Sequence, residues 1–123
     1  MNRILIIDDD ELIRKAFKCV LEKFDYKLDF ACTAKEAENL ITLNKYDLVF
    51  LDLALPDKDG KELLKDIRSS NKDVKICIMS AFLSKLGNLL EDHGQTTSNI
   101  SFCMKPISRE EMIKITEEAL STK

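Results

Sequence analysis

Charged and polar side chains recur in this sequence where short apolar runs end. Asp8, Asp9 and Asp10 follow the first run, Asp52 closes another, and Ser80 and Lys105 mark two more. Carboxylates gathered at one point repel one another and need a hard cation with oxygen ligands, such as Mg²⁺ or Mn²⁺. With a hydroxyl and an ammonium beside them, such carboxylates could receive a phosphoryl group.

The apolar runs predict five buried strands that alternate with five helices. The strands are expected at residues 3–8, 27–31, 46–52, 74–80 and 100–104, and one of the helices at 82–93. Strands that are apolar on both faces and joined by helices favour a parallel sheet covered on both sides. The predicted fold is therefore an α/β, three-layer, doubly wound (βα)5 sandwich.

This architecture explains why the polar residues follow the strands. All strands of a parallel sheet end at the same edge, and ligands of such sheets bind outside those carboxyl ends. The alternation alone therefore places the aspartates, Ser80 and Lys105 at one edge of the sheet.

Three helix starts carry capping signals. Thr33 with Glu36 and Ser108 with Glu111 have the spacing of a capping box. Asp10 is interpreted as a cap for the first helix, because one aspartate at a helix start is well explained by the free amides there. Capping does not explain three aspartates in a row, so Asp8 and Asp9 are assigned to a metal site.

Together the segments "IIDDD", "FLDLALPDKDG", "IMSA" and "FCMKP" resemble the receiver domain of two-component response regulators. The resemblance covers nearly all of residues 1–123, taken as a single domain. It implies a flavodoxin-like strand order, 2-1-3-4-5. It also implies a signalling domain rather than an enzyme, which accepts a phosphoryl group and switches a protein-interaction surface.

The resemblance also implies roles at the acidic edge. Asp52 matches the phosphoryl acceptor, Asp9 the direct Mg²⁺ ligand, and Asp8 the neighbour that acts through water. The backbone carbonyl of Ala54 matches the third protein ligand, so the metal set is Asp8, Asp9, Asp52 and Ala54.

A second group of residues matches the family's switch. Ser80 corresponds to the hydroxyl that turns toward the phosphoryl group, and Lys105, whose bond to Pro106 is commonly cis in the family, to its ammonium partner. Phe102 corresponds to the coupled aromatic switch, but an aromatic residue in a strand is usually core, and both interpretations stay open. Phe82 is expected to alter the lifetime of the phosphorylated state.

Net charge and cysteine content limit the partners and the cellular compartment that the sequence predicts. The net charge of −3 argues against direct binding of nucleic acid or an anionic membrane. The four cysteines form no C-x-x-C pair, which favours reduced thiols in a cytoplasmic protein. The resemblance implies a histidine kinase or histidine phosphotransfer protein as donor and an unidentified downstream protein, with a phosphorylation-dependent homodimer as one form of the output.

Three alternatives remain open from the residues. A flavodoxin-like cofactor binder needs a phosphate loop after the first strand, where "DDDE" would repel phosphate. A haloacid-dehalogenase-like phosphatase needs a second aspartate two residues after Asp52, where Ala54 stands. A degenerate receiver would act as an interaction module without phosphorylation.

Overall fold

The computed structural model of the chain describes residues 1–81 and 99–121. Its strands are β1 (Asn2–Ile7), β2 (Tyr26–Ala31), β3 (Leu48–Asp52), β4 (Lys75–Ser80) and β5 (Ile100–Met104). The helices within those residues are α1 (Glu11–Leu21), α2 (Ala34–Leu43), α3 (Gly60–Ser70) and α4 (Arg109–Ser121). The helix predicted at 82–93, with Phe82, lies outside the described residues.

The five strands form one parallel sheet in the order β2-β1-β3-β4-β5, which confirms the predicted topology. Because β1 lies beside β3, Ile7 pairs with Leu51 in the register. The residue that follows Ile7 or Leu51 along the chain is an aspartate, so Asp8 and Asp52 lie side by side at the carboxyl edge.

Helices cover both faces of the sheet, as the three-layer prediction requires. One apolar cluster joins the sheet to α2 and α3, through residues such as Ala37, Leu63 and Ile67. The other cluster joins the opposite face to α1 and α4, and there the Phe17 and Phe50 ring centroids lie 4.7 Å apart. The sheet is thus buried on both sides, and its carboxyl edge is left for polar groups.

Local side-chain hydrogen bonds set the helix starts. The Asp10 carboxylate accepts from the Leu12 amide at 2.9 Å, which confirms Asp10 as the cap of α1. At α4, Ser108 Oγ accepts from the Glu111 amide at 3.1 Å, and Glu111 Oε1 accepts from the Ser108 amide at 3.3 Å. This second arrangement is a complete capping box.

Two predicted element bounds differ from the structure by more than one residue. Strand β3 begins at Leu48 rather than at residue 46, because the Tyr46 and Asp47 side chains bond Asp29 and the Arg3 amide. The spacing of Phe17, Leu21 and Phe24 in the sequence predicts one helix face, but α1 ends at Leu21 and Phe24 is 36% exposed. An apolar residue that continues a helical period beyond the helix end carries no information about the helix.

Within residues 1–81 and 99–121, none of the helices combines the length and the apolar character needed to cross a bilayer.

Candidate functional site

Three aspartates meet at the carboxyl edge of β1 and β3. One carboxylate oxygen from each of Asp8, Asp9 and Asp52 lies within 4.8 Å of the other two. Asp8 is 0% and Asp52 2% exposed, whereas Asp9 is open to solvent. The structure therefore brings together the three acidic side chains that the sequence assigned to one site.

Lys105 lies between the two buried carboxylates. Its Nζ is 2.8 Å from Asp8 Oδ2 and 3.2 Å from Asp52 Oδ2, and its side chain is 17% exposed. The Lys105 amide donates to the Ser80 carbonyl at 2.8 Å, which holds the end of β5 beside β4. The bond from Lys105 to Pro106 is cis, as the resemblance implied.

Asp8 is held by contacts that leave one of its oxygens incompletely satisfied. Asp8 Oδ1 accepts from the Asp10 amide at 2.9 Å, and the Asp8 carbonyl accepts from the Arg14 guanidinium at 2.8 Å. Among the described residues, the buried Asp8 Oδ2 has the ionic contact with Lys105 but no partner at hydrogen-bond angles. A buried carboxylate oxygen in this condition is suited to a further cation.

The local electrostatics follow from burial and from like charges. Burial raises the pKa of Asp8, and the nearby Asp52 carboxylate raises it further, while Lys105 and the Asp10 amide oppose both effects. Burial alone would lower the pKa of Lys105, but the carboxylates of Asp8 and Asp52 outweigh it and raise that pKa above its usual range. Lys105 is therefore a cation at neutral pH.

The donor set fits a hard divalent cation. The cluster has three carboxylates, and the one ammonium that contacts it, that of Lys105, pairs with Asp8 and Asp52, so these described side chains carry a net negative charge when all are ionised. Carboxylate oxygens, with backbone carbonyls and water, are the ligands that Mg²⁺ and Mn²⁺ prefer. Within residues 1–81 and 99–121, no thiol or imidazole belongs to this cluster, so the described ligand chemistry does not favour zinc.

The chain turns directly after Asp52. The Ala54 amide donates to Asp52 Oδ1 at 3.1 Å, and the Leu53 amide donates to the Met79 carbonyl at 3.2 Å. Gly60 packs closely here: a Cβ at Gly60 would lie 2.7 Å from Leu53 Cα, which a side chain cannot do. The start of α3 thus abuts the backbone that carries Asp52 and Ala54.

The two switch candidates lie on the neighbouring strands. Ser80 is the buried last residue of β4, in register with Met104 at the end of β5. Phe102 is half-buried on β5 and packs against the cluster formed with α2 and α3. Those surroundings are typical of a core residue, and the switch role of Phe102 stays a prediction.

Sequence reasoning missed Arg14, Asp57 and Lys58. The Arg14 guanidinium donates to the Asp8 carbonyl, six residues earlier in the chain. Asp57 and Lys58 contact helices α2 and α3. In the sequence, Pro56 and Gly60 make the segment "LPDKDG" typical of a turn, which predicts no contact with a helix. Its one available signal was that three charged residues are more than a turn requires.

Comparison with known proteins agrees with this geometry. A family model for the response regulator receiver domain matches residues 4–117. The chain is 42% identical over 79 residues to the transcriptional regulatory protein PmrA of Pectobacterium parmentieri, a match that covers 64% of the chain and 36% of PmrA. The chain thus spans about a third of the length of this relative. Because PmrA is a transcriptional regulator, the predicted absence of nucleic-acid contact gains no support.

Two solved structures resemble the chain over almost its whole length. A two-component response regulator from Clostridium difficile has a TM-score of 0.85 and 31% identity, covering 98% of this chain and 97% of that one. The response regulator TrrA from Thermotoga maritima, in complex with Mg²⁺–BeF, has a TM-score of 0.82 and 28% identity, covering 98% and 100%.

Proposed function

This chain belongs to the family of response regulator receiver domains, and we propose that Asp52 is the residue on which it accepts the phosphoryl group. Receiver domains of this family serve phosphorylation-dependent signalling. The observation that carries the proposal is the position of Asp52: buried at the carboxyl edge, clustered with Asp8 and Asp9, and 3.2 Å from the Lys105 ammonium.

The acidic cluster would hold a divalent cation, Mg²⁺ or Mn²⁺, because both suit an all-oxygen donor set. Asp9 would ligate it directly, Asp8 through water, and Asp52 and the Ala54 carbonyl would complete the protein ligands. A bound cation supplies neutralisation of the charge that develops on the transferring phosphoryl group. The complex of TrrA with Mg²⁺–BeF supports this assignment by similarity.

Phosphoryl transfer then follows from the positions of the side chains. An oxygen of Asp52 attacks the phosphorus of a phosphohistidine in line, a P–O bond forms, and the P–N bond breaks. The imidazole nitrogen keeps the electron pair and takes a proton. Lys105, released from its contact with Asp52, would donate to one phosphoryl oxygen, and Ser80 to another.

The product would act as a signal through added charge. The acyl phosphate carries roughly two negative charges at neutral pH where the carboxylate carried one, and this change biases a two-state surface. A histidine kinase or phosphotransfer protein would be the donor, and a downstream protein the reader of the surface. A phosphorylation-dependent homodimer is one form that this output could take. Because the match covers only 36% of PmrA, the output of that whole regulator is not assigned to this chain.

Intact-mass spectrometry tests the proposal directly. Wild type and Asp52→Asn are incubated with acetyl phosphate, with Mg²⁺ or with a chelator. We expect a gain of one phosphoryl group in wild type with Mg²⁺, and none in the other three samples. An equal gain in Asp52→Asn would exclude Asp52 as acceptor. Binding of Mg²⁺ without any phosphorylation would favour a degenerate receiver.

A further inference from the structure

The loop between β3 and α3, residues 53–59, is attached to the first turn of α2 through Asp57. Asp57 Oδ1 accepts from the Ala34 amide at 2.9 Å, and Asp57 Oδ2 accepts from the Lys35 amide at 3.1 Å. Both amides belong to the start of α2, where backbone N–H groups lack partners within the helix. A residue 23 positions away in the sequence therefore caps α2 alongside its own cap, Thr33.

Lys58 attaches the same loop at a second point. Its Nζ lies 2.5 Å from Glu38 Oε2 on α2 and also contacts Asp66 Oδ2 on α3. The Lys58 side chain is 27% exposed, so this pair of contacts is partly sheltered from solvent. An isolated surface ion pair contributes little, but one ammonium shared by carboxylates of two helices fixes three segments at once.

The charges at these contacts are fully developed at neutral pH. The carboxylates of Asp66 and Glu38 raise the pKa of Lys58 above its usual range. The Ala34 amide, and to a smaller extent the Lys35 amide, lowers the pKa of Asp57. The contribution of Asp57 is therefore present at neutral pH and is lost only as the pH falls through this lowered pKa.

These contacts lie close in the chain to the acceptor. Asp57 follows Ala54 by three residues, so their Cα atoms can be at most about 11 Å apart. Between them, Leu55 packs against the apolar cluster of α2 and α3, and Pro56 has a fixed φ. Because this short segment has little conformational freedom, a displacement of Asp57 is expected to displace Ala54 as well.

We propose that Asp57 and Lys58 are positioning residues, which set the geometry of the Asp52–Ala54 segment by binding its loop to α2 and α3. This inference rests on the proposed function for its effect on phosphorylation. The geometric part does not, because the hydrogen bond from the Ala54 amide to Asp52 Oδ1 exists without metal or phosphoryl group. A coupling between α2 and the site must also act in reverse, so that filling the site stabilises the first turn of α2.

Two variants remove the contacts without touching the site: Asp57→Ala and Lys58→Met. Lys58→Arg is the conservative variant, since a guanidinium can also bond two carboxylates. Lys15→Met is the matched control for a lost ion pair, because Lys15 pairs with Glu11 on the exposed face of α1. Tyr46→Phe is the control for lost stability, because it removes the hydroxyl bonded to Asp29 at the other end of the sheet.

Three quantities are measured for each protein: hydrogen exchange of the Ala54 amide by NMR, Mg²⁺ affinity by calorimetry, and the initial rate of phosphorylation by acetyl phosphate. We expect Asp57→Ala and Lys58→Met to exchange Ala54 about fivefold faster and to be phosphorylated about tenfold more slowly. Lys58→Arg should keep the Ala54 exchange rate and the phosphorylation rate close to their wild-type values. The two controls should change neither quantity.

The outcomes separate this inference from the proposed function. If Ala54 exchanged at the wild-type rate in both variants, and the protein were phosphorylated on Asp52, the positioning role would be overturned. The proposed function would remain intact. Faster Ala54 exchange in a protein that accepts no phosphoryl group would overturn the function and leave the positioning role intact. If Tyr46→Phe accelerated Ala54 exchange and slowed phosphorylation as much as Lys58→Met does, both effects would follow from lower stability alone. That result would overturn the inference.

Discussion

The two ends of the sheet both bury charged groups, but they balance them differently. At the amino end, which we call the amino-edge network, Arg3, Asp29 and Tyr46 satisfy one another. Arg3 Nε lies 3.1 Å from Asp29 Oδ2, and the Tyr46 hydroxyl donates to the same oxygen at 2.7 Å. At the carboxyl end, three carboxylates cluster and the Lys105 ammonium pairs with two of them, and the buried Asp8 Oδ2 has no hydrogen bond within the described chain.

This difference distinguishes a structural charge cluster from a functional one. In the amino-edge network each group has a partner, and burial with the adjacent Asp29 raises the pKa of Tyr46, so its hydroxyl stays a donor. The acidic end retains repulsion that the fold alone does not relieve. Repulsion of that kind is tolerated where a ligand of opposite charge completes the site.

The largest effect is expected from Lys105→Met. Without this ammonium, Asp8 and Asp52 are buried next to each other as uncompensated charges, and we expect the free energy of unfolding to fall by about 3 kcal/mol in a chelator. Urea denaturation measures this loss. Saturating Mg²⁺ should restore part of it, and a loss that Mg²⁺ leaves unchanged would contradict the cation site.

The matched change in the amino-edge network is Asp29→Ala. It leaves the Arg3 guanidinium and the Tyr46 hydroxyl without their shared acceptor, so we expect a loss of about 2 kcal/mol. Mg²⁺ affinity and phosphorylation rate should stay at wild-type values. If either changed more than twofold, the two ends of the sheet would not be independent.

A smaller loss is expected from Gly60→Ala. The new methyl group would meet Leu53 Cα at 2.7 Å, so the backbone must shift at a cost of about 1–2 kcal/mol. Because the shift occurs beside Asp52, phosphorylation should slow as well, in contrast to Asp29→Ala. Equal rates in the two variants would show that the close approach of Gly60 has no role in the site.

The smallest effect, opposite in sign, is expected from Asp8→Asn. It removes one of the repelling carboxylates and should raise the free energy of unfolding by about 0.5–1 kcal/mol without metal. The same change should weaken Mg²⁺ binding, because an amide oxygen replaces a carboxylate near the cation. Thermal unfolding with and without Mg²⁺ measures both, and a destabilised variant would count against unrelieved repulsion at this end.

The features that can be predicted from the sequence are those that depend on hydrophobic periodicity and on the order of strands and helices along the chain. Apolar runs separated by helical segments led to a parallel sheet, and a parallel sheet places the residues after its strands at one edge. That reasoning predicts Asp8, Asp52, Ser80 and Lys105 at the carboxyl edge, where the structure has them. The strand order came from the resemblance to receiver domains, and the structure confirms it.

Contacts between distant segments were not predictable. The bonds from Asp57 to the start of α2 and from Tyr46 to Asp29 join residues 23 and 17 positions apart, and no local pattern encodes such pairs. The late start of β3 has the same origin, because tertiary bonds to Tyr46 and Asp47 override their place in an apolar run.

The most direct test of the central claim is to locate the phosphoryl group. Wild-type protein is phosphorylated by acetyl phosphate in Mg²⁺, digested at low pH, and analysed by fragmentation mass spectrometry. The site described here predicts a single modified residue, Asp52, and no modification when Mg²⁺ is chelated. A phosphoryl group on any other residue, or on Asp52 regardless of metal, would contradict it.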